Sequence, residues 1–555
     1  MKRTAADFLK LLSKVNKDVV NTEIETEHKQ EEKKEEKIEI QQHDVDIYQN
    51  LPQIELSGAP IEFNEWFNEM EHDFSKPKPE AQMYNSPYGI LRTTLPKLPK
   101  GPIKLNPLLA NTKQCKKIMD KIIANPIFDY EDFLYTTKPE DTIDEVRKIT
   151  ALHVLNHVIN DFDAKKNRPT GSLKRDSGFT PTVVLIIASS KLQAYKFVSD
   201  LLEFVPEDIL IEHEDRFRLE YGAEVPNGVI QSHPKDWLAY FGGNNEQDFK
   251  TAIRFFGDKI SLCQQMSKSQ IVIASPVGIM LHKDTSFLSS IEILVLDTLD
   301  FLEVQNSQRL SECIKTINQK PMTVEETDWS RLRTYFSDKN HPKMRQNIGY
   351  ATVMTPEMIS LFSSFENIRG SNIVKQSFTK SLFNPGVEQV FRRIPAPNIV
   401  STADQNFKIF QLRILPQIKA WRAASDKPGR TIIFFASSML FYRARKLLDD
   451  SGVIFLELAD EATKKDSIKM RKAYTEDPNA VMLITERYYF HFRPKFLDTG
   501  RIIFYGAPTY PQFVSELAKD IPVFLYFNEY DDLALERLCG GEMAMRLVKD
   551  EVYLI

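Results

Sequence analysis

Glycine is scarce. The 555-residue chain has 20 of them, about half the usual share, and none is followed by lysine. A phosphate-binding loop needs Gly-x-x-x-x-Gly-Lys-Ser/Thr, because main-chain N–H groups must wrap the phosphates while the lysine neutralises them. The sequence therefore excludes that loop and argues against an enzyme built on glycine-rich phosphate cradles. Cysteine is sparse too: Cys115, Cys263, Cys313 and Cys539 stand far apart, without zinc spacing or disulfide density, which points to a reducing compartment. No excess of positive charge exists, the net charge being −5, so any contact with nucleic acid must be a local patch. On this ground partner proteins are as plausible as RNA. The longest aliphatic run, residues 183–188, falls far short of the ~18 residues of a membrane span. The basic N-terminus lacks the apolar core of a signal peptide. The chain is expected to be soluble and intracellular, with no membrane partner.

What is present is ample apolar material, 42% of residues with 36 Phe, in a length that suggests roughly three units. Residues 4–15 place Phe8, Leu11, Leu12 and Val15 at helical spacing, either a docking element or a frayed end. Residues 21–46 are mixed charge with few large apolar groups and read as disorder or a solvated single helix. An apolar, aromatic segment at 61–74 (Phe63, Trp66, Phe67, Met70) predicts a short helix. A proline-rich arm from Pro77 to Pro107 then enforces extended backbone, suited to a strap along a surface or to a spacer.

Compact folding is expected from about residue 111. Residues 112–160 read as helices, and within them His153 and His157 have metal-ligand spacing but no accompanying Glu and no third ligand. Buried-strand patterns follow at 183–188, 270–274, 291–296 and 350–353, separated by helical or loop segments, including an insertion whose Gly242-Gly243-Asn244-Asn245 reads as a surface loop. After a break at Asn384-Pro385-Gly386 a second set appears at 387–393, 431–435, 453–458, 481–484, 502–505 and 523–527. This alternation implies parallel crossover units with helices on both faces. The expected fold is α/β: an extended, partly disordered N-terminal arm (1–110) and two tandem parallel-sheet domains (111–384 and 385–555), an arrangement that suggests the frame of a helicase core.

The strand at 291–296 ends on Asp297-Thr298-Leu299-Asp300. In nucleotide hydrolases a carboxylate in that place holds the Mg²⁺ that bridges the phosphates, often followed by a Glu. Here Thr298 follows, and Asp297 reads either as a vestige of that site or as a cap on the next turn. The nearest glycine-containing loop, Pro169-Thr170-Gly171-Ser172-Leu173-Lys174-Arg175, reads as a flexible basic loop. Where the second domain should offer arginines to the phosphates, the chain has Tyr505-Gly506-Ala507-Pro508-Thr509-Tyr510-Pro511-Gln512-Phe513. An arginine finger is worth ~10³ to 10⁵ in rate. Without loop, Glu and finger, no turnover, cofactor or metal is expected.

Val295-Leu296-Asp297, Asp300-Phe301-Leu302, Asp328-Trp329-Ser330-Arg331-Leu332-Arg333, Thr485-Glu486-Arg487-Tyr488-Tyr489-Phe490 and Phe504-Tyr505-Gly506-Ala507-Pro508 resemble, in order, the digestive organ expansion factor family over about residues 111–555. These are nucleolar, DEAD-box-like but degenerate proteins of the small-subunit processome. The resemblance implies two RecA-like domains and a nuclear, nucleolar location. It also implies a role in early ribosomal RNA processing, with pre-ribosomal RNA, a box C/D small nucleolar ribonucleoprotein and other processome proteins as partners, and no established ATPase activity. It sets Ile186-Ile187-Ala188-Ser189-Ser190 and Ala274-Ser275-Pro276-Val277-Gly278 against RNA-contacting segments, Asp297 and Asp300 against the acidic metal motif, and Tyr350-Ala351-Thr352 against the coupling Ser-Ala-Thr. Phe434-Phe435-Ala436-Ser437-Ser438 and Thr485-Glu486-Arg487 fall on second-domain motifs.

The candidate RNA or partner contacts are therefore Ser189, Ser190, Ser275, Ser437, Ser438 and Arg487 at strand ends, where turn or cap roles compete with RNA contact. Arg331 and Arg333 join them from a cluster with Lys339, Lys343, Arg345, Trp329, Tyr335 and Phe336. That cluster suits either single-stranded RNA or a buried inter-domain seam. The leading expectation is a non-catalytic pseudo-helicase acting in ribosome biogenesis; the alternatives are a diverged RNA-dependent ATPase and a scaffold that binds only proteins.

Overall fold

The computed structural model describes residues 82–86, 89–94, 105–110, 113–119, 123–137, 143–172, 174–321, 327–337, 340–378, 380–383, 386–423, 429–549 and 552–554. The segments expected at 4–15, 21–46 and 61–74, and most of the proline-rich arm, lie outside them.

Two parallel sheets organise the described residues, as expected for a tandem RecA-like α/β protein. In the first, β1 (Gln82–Ser86), β2 (Gly89–Thr94), β3 (Asp132–Thr136), β4 (Val184–Ile187), β5 (Leu210–Glu212), β6 (Lys250–Phe255), β7 (Lys259–Ser261), β8 (Ile271–Ala274), β9 (Ile293–Leu296), β10 (Gln346–Ala351) and β11 (Ser371–Lys375) are ordered β1-β2-β11-β3-β10-β9-β4-β8-β6-β7-β5. The block from β11 to β8 is parallel throughout. Its central strand β9 is fully buried, because an aliphatic run without alternation is stable only with both faces covered. The second sheet orders β12 (Gln389–Arg393), β13 (Arg430–Phe435), β14 (Leu456–Leu458), β15 (Val481–Thr485), β16 (Thr499–Tyr505), β17 (Val523–Phe527) and β18 (Val552–Leu554) as β14-β15-β13-β16-β17-β12-β18. Only β18 runs antiparallel.

Three readings are corrected. The span 112–160 is not all helical: Asp132–Thr136 forms β3, buried at all five positions. Its three apolar residues are too few to announce a strand, and its partners Ile348 and Ile373 come from more than 200 residues away. Part of the proline-rich arm is neither strap nor spacer, since the hairpin β1–β2 extends the sheet antiparallel to β11, with the Thr94 hydroxyl accepting from the Ser371 N–H at 3.1 Å. The insertion after β4 is not a plain surface loop. It carries β5 to β7 and a helix, Lys235–Phe241, whose Tyr240 is buried.

His153 and His157 lie in the long helix Asp144–Lys166, both fully buried. His153 Nε2 meets Gln346 Oε1 at 2.8 Å, while His157 lies 3.0 Å from both the Tyr130 hydroxyl and a Glu292 oxygen. Burial, with His157 beside it, pushes the His153 pKa down to about 3. Both imidazoles are thus members of an internal polar network.

Candidate functional site at the lobe junction

The acidic step begins where β9 ends. The Asp297 N–H continues the ladder to the Ile187 carbonyl of β4 at 2.9 Å. Thr298 then turns the chain through a left-handed conformation (φ 53°) into the helix Leu299–Thr316. Asp297 caps nothing. Its side chain is 0% exposed, and neither carboxylate oxygen makes a hydrogen bond of ordinary geometry. Burial pushes its pKa up to about 7, opposed mainly by the Arg147 guanidinium, with a smaller contribution from the Tyr350 hydroxyl of β10.

Arg147 comes from the helix Asp144–Lys166, which follows in sequence on β3, one strand removed from β9. This is the kind of unit that cradles phosphate in nucleotide-binding folds. Here the connecting Lys138-Pro139-Glu140-Asp141-Thr142 contains no glycine. The first helical turn carries Asp144 and Glu145, carboxylates where an anion site needs bare N–H groups and positive charge. Arg147, the cation acting on Asp297, is itself held by Asp200 (2.6 Å) and Asp144 (2.5 Å). An internal ion-pair network thus stands beside the acid.

Asp300 has a different fate. One of its oxygens accepts from the Tyr240 hydroxyl (2.7 Å), the Thr352 N–H (3.1 Å) and the Thr352 hydroxyl. This ties the acidic motif to Tyr350-Ala351-Thr352 at the end of β10 and to the insertion helix. Tyr240 also enters an aromatic cluster that crosses from lobe to lobe. Its ring lies 5.2 Å from Phe301 and 5.4 Å from Phe490, Phe241 lies 5.5 Å from Phe490, and Phe490 lies 4.9 Å from Tyr510. Such pairs each add ~0.5–1.5 kcal/mol beyond their buried area.

Polar links frame the cluster. The Trp237 indole N–H donates to the His491 carbonyl at 2.9 Å. The Arg493 guanidinium bridges Asp236 of the insertion helix (2.5 Å) and Glu516 of the second lobe (2.6 Å). An arginine does approach the first lobe from the second, but Arg537 gives its donors to the carbonyls of Met354 (2.6 Å) and Thr509 (3.0 Å). Beside it, at the ends of β3 and β10, lies a cavity of about 10 Å³ lined by Thr136, Thr352, Gln376 and Arg537 among others. That is room for a water molecule, against the roughly 300–1,000 Å³ of a small-ligand site. A larger groove of about 680 Å³ lies between residues 231–234 and the loop after Arg493, and neither Asp297 nor Asp300 lines it.

The strand-end serines fall where expected, mostly as structural groups. Ser275 caps the helix Pro276–Met280, accepting from the Gly278 N–H at 2.9 Å. Gly278 is required there because a Cβ would stand 2.0 Å from the Phe249 carbonyl oxygen. Ser189 and Ser190 are buried, and the Ser189 hydroxyl lies 3.3 Å from that of Thr298. The structure joins Ser189 to Arg487 across the lobes: Gln305 donates to the Ser189 carbonyl (3.0 Å), and Arg487 donates to the Gln305 carbonyl (2.8 Å). The Arg487 side chain remains 47% exposed and lies 3.7 Å from Asp460, which also accepts from Ser438 (3.3 Å). Ser437, half-buried, precedes the helix Ser438–Asp450.

The arginine cluster is divided. Arg333 is 2% exposed and ion-paired with Glu292, and Arg345 bonds Asn347 and Asn318. Tyr335 and Phe336 are buried with them. These side chains form a polar core inside the first lobe rather than an inter-domain seam, whereas Arg331 is half-buried and Trp329 exposed. Lys339 lies outside the described residues. Sequence reasoning missed Arg147, Trp237, Tyr240, Arg493 and Arg537. The one local signal was the spacing of Trp237, Tyr240 and Phe241, at positions i, i+3 and i+4 of a helical face.

The description "UTP25, NTP hydrolase-like domain" matches residues 130–372, and "Utp25, C-terminal domain" matches residues 380–555. The chain is 27% identical to the U3 small nucleolar RNA-associated protein 25 of Botryotinia fuckeliana, over 82% of this chain and 68% of that protein. It is 29% identical to the protein nucleolar factor 1 of Arabidopsis thaliana, over 72% and 59%. Among solved structures it is similar to a DEAD-box protein of Methanococcus jannaschii (11% identity, TM-score 0.25, 82% of this chain and 98% of that one). It is also similar to S. cerevisiae Dbp5 bound to RNA and ADP BeF3 (11%, 0.28, 80% and 98%). With both UTP25 domains matched in sequence order along one continuous pair of lobes, the chain belongs to the UTP25 family.

Proposed function

We propose that this chain is a non-catalytic pseudo-helicase of the small-subunit processome, a nucleolar assembly factor that supports early pre-ribosomal RNA processing by binding RNA, processome proteins or both. The observation that carries the reading is the filled junction: where a helicase would hold nucleotide, aromatic side chains of both lobes pack together and Asp297 is sealed from solvent. The names of the relatives, U3 small nucleolar RNA-associated protein 25 and nucleolar factor 1, support the RNA and the compartment. So does the motif-by-motif resemblance to the digestive organ expansion factor proteins. We take residues 1–110 as the arm and 111–384 and 385–555 as the working lobes. Of the strand-end residues, Arg487 is exposed and Ser437 and Ser438 are half-buried, and we assign Arg487 and Ser438 to RNA phosphate. Titration of fluorescent ATP, with and without RNA, tests this, and no saturable binding is expected.

One observation favours a diverged RNA-dependent ATPase. A buried carboxyl with a pKa of about 7 and no good hydrogen bond is the kind of perturbed group that marks active sites. Saturable ATP binding that is lost in Asp297→Ala would establish that reading and overturn ours.

A further inference from the structure

Three arginines converge on the helix side of the second sheet. In the parallel register Val390, Phe524 and Ile503 stand level across β12, β17 and β16, and so do Arg392, Tyr526 and Tyr505. Residues two apart on a strand share a face, so Arg501, two before Ile503, points to the same side as Arg392. Phe524 lies on the diagonal between them, and strand spacing and rise put the two Cα positions about 16 Å apart. The helical segment from Thr402 to Ala423 packs on this face. From it Trp421 meets Phe524 at 5.7 Å and carries the Arg501 guanidinium 4.5 Å from its ring centre. The same segment supplies Arg413. Burial raises the Tyr526 pKa and the charges of Arg392 and Arg413 oppose the rise, so both guanidinium groups act on that one hydroxyl.

These cations are not matched by carboxylates. Among the described residues Arg392, Arg413 and Arg501 make no hydrogen bond and no ion pair. Burial alone lowers the Arg501 pKa, with no acid to hold it up, and its Nη1 is sealed without an acceptor. The neighbouring acids are engaged elsewhere: Asp477 with Arg422 (3.3 Å), Asp498 with Arg430 (3.7 Å) and Glu529 with Arg393 (3.9 Å), while Asp520, in the loop before β17, has a partner of its own. By register the acid on this face is Glu388, exposed, just before β12, and in no ion pair with the arginines. One carboxylate against three guanidinium groups, two of them half-buried, leaves the face positive. A half-buried cation with a sealed and unbonded N–H group lowers the stability of the free chain, and an accepting carboxylate removes that cost.

We propose that this face docks an extended acidic segment of a partner protein, with carboxylates on Arg501 and on the Arg392–Arg413 pair and an aliphatic side chain between them on Phe524 and Trp421. Positions i, i+2 and i+4 of a strand project to one side over about 13 Å, which two arginine side chains can span. Guanidinium meets carboxylate in a planar, bidentate fork. RNA phosphate would also satisfy the arginines, but one face of the indole is taken by Arg501, and Phe524 meets it tilted at 51°. A base needs an open ring face, whereas an aliphatic group packs equally against ring edges. The surface uses neither Arg487 nor the lobe junction and does not rest on the function proposed above.

Fluorescence anisotropy of the full chain tests it with a labelled peptide that repeats Glu-Ser-Leu-Ser-Glu, which sets acid, aliphatic and acid on one side of a strand, and with labelled oligouridylate. Saturable peptide binding is expected. Arg501→Met should weaken it roughly 10- to 150-fold, the worth of one charge-assisted hydrogen bond, and a peptide with glutamine in place of glutamate should lose it. Arg413→Glu, at an exposed position, should weaken it at least as much while keeping the wild-type unfolding profile. If Arg501→Met alters that profile, Arg413→Glu alone decides. No saturable peptide binding, binding that survives both substitutions, or binding indifferent to the glutamine replacement would overturn the proposal. So would oligouridylate binding that both substitutions remove while peptide binding is unaffected, which would make the face a phosphate site.

Discussion

Asp297→Asn should stabilise this protein, and the gain should depend on pH. The carboxyl pKa is pushed from 3.8 up to about 7 by burial, with the attraction of Arg147 already included. At 1.36 kcal/mol per unit, the ionised side chain costs the folded state about 4 kcal/mol relative to a neutral one of the same shape. The sign follows from proton linkage: between the two pKa values the folded chain holds a proton that the unfolded chain has released, so stability falls as pH rises through that window. Asparagine never ionises, so the variant escapes the loss. Its advantage is expected to be about 4 kcal/mol at pH 8 and under half of that at pH 5. Urea unfolding of both proteins at the two pH values, followed by circular dichroism, measures it as a shift in midpoint. A metal-binding Asp297 predicts another outcome, in which Asp297→Asn gives no gain at pH 8 and loses any Mg²⁺- and ATP-dependent stabilisation seen in the wild type. Either result would refute the view that the acid is sealed and unused.

The remaining predictions concern the lobe junction and the polar core of the first lobe. Phe490→Ala, at the centre of the cluster formed with Tyr240, Phe241 and Tyr510, should cost ~3–5 kcal/mol and raise susceptibility of the lobe junction to limited proteolysis; unchanged stability and cleavage would show that the seam is not closed in solution. Arg493→Met removes the bridge between Asp236 and Glu516 and should separate a single calorimetric transition into two, one for each lobe. Glu292→Gln breaks the buried pair with Arg333 and should destabilise the first lobe by ~3–5 kcal/mol, measured by urea titration at neutral pH. Although burial opposes it, Arg333, aided by His157, holds the Glu292 pKa down to about 2. The stabilisation is therefore fully present above about pH 4.5, is lost as pH falls toward 2, and the variant should show a flatter acid-unfolding profile in that range.

The sheet strands were legible because their signal is local. A run such as Ile293-Leu294-Val295-Leu296 can only be buried on both faces, and its closing carboxylate marks where the chain turns. β3 was not legible, since Phe133-Leu134-Tyr135 becomes a strand only through partners more than 200 residues away. The same limit hid Arg147, whose relation to Asp297 spans 150 positions of sequence. Trp237, Tyr240 and Phe241 did announce a helical face, but the adjoining Gly242-Gly243-Asn244-Asn245 drew the reading toward a surface loop. Arg331 and Arg333 show the sharpest limit. Two residues apart in one segment, they have opposite surroundings, and only the bridge from Ser177 to Leu332 sets which of them faces the core.

The two carboxylates of the acidic motif differ in what surrounds them, Asp297 sealed without an ordinary hydrogen bond and Asp300 held by three donors. The hydrogen bonds of Asp300 to Thr352 and Tyr240 fasten the end of β9 to the end of β10 and to the insertion helix, and Tyr240 carries that connection into the aromatic seam. Closure of the lobes, which in a nucleotide-driven machine must be bound and released in each cycle, is here held by packed side chains and the Arg493 bridge. The seam and the bridge join the insertion helix of the first lobe to the second lobe through Tyr240–Phe490 and through Asp236–Arg493–Glu516. On the function proposed above, RNA held at the exposed Arg487 would be positioned by this junction rather than moved by it.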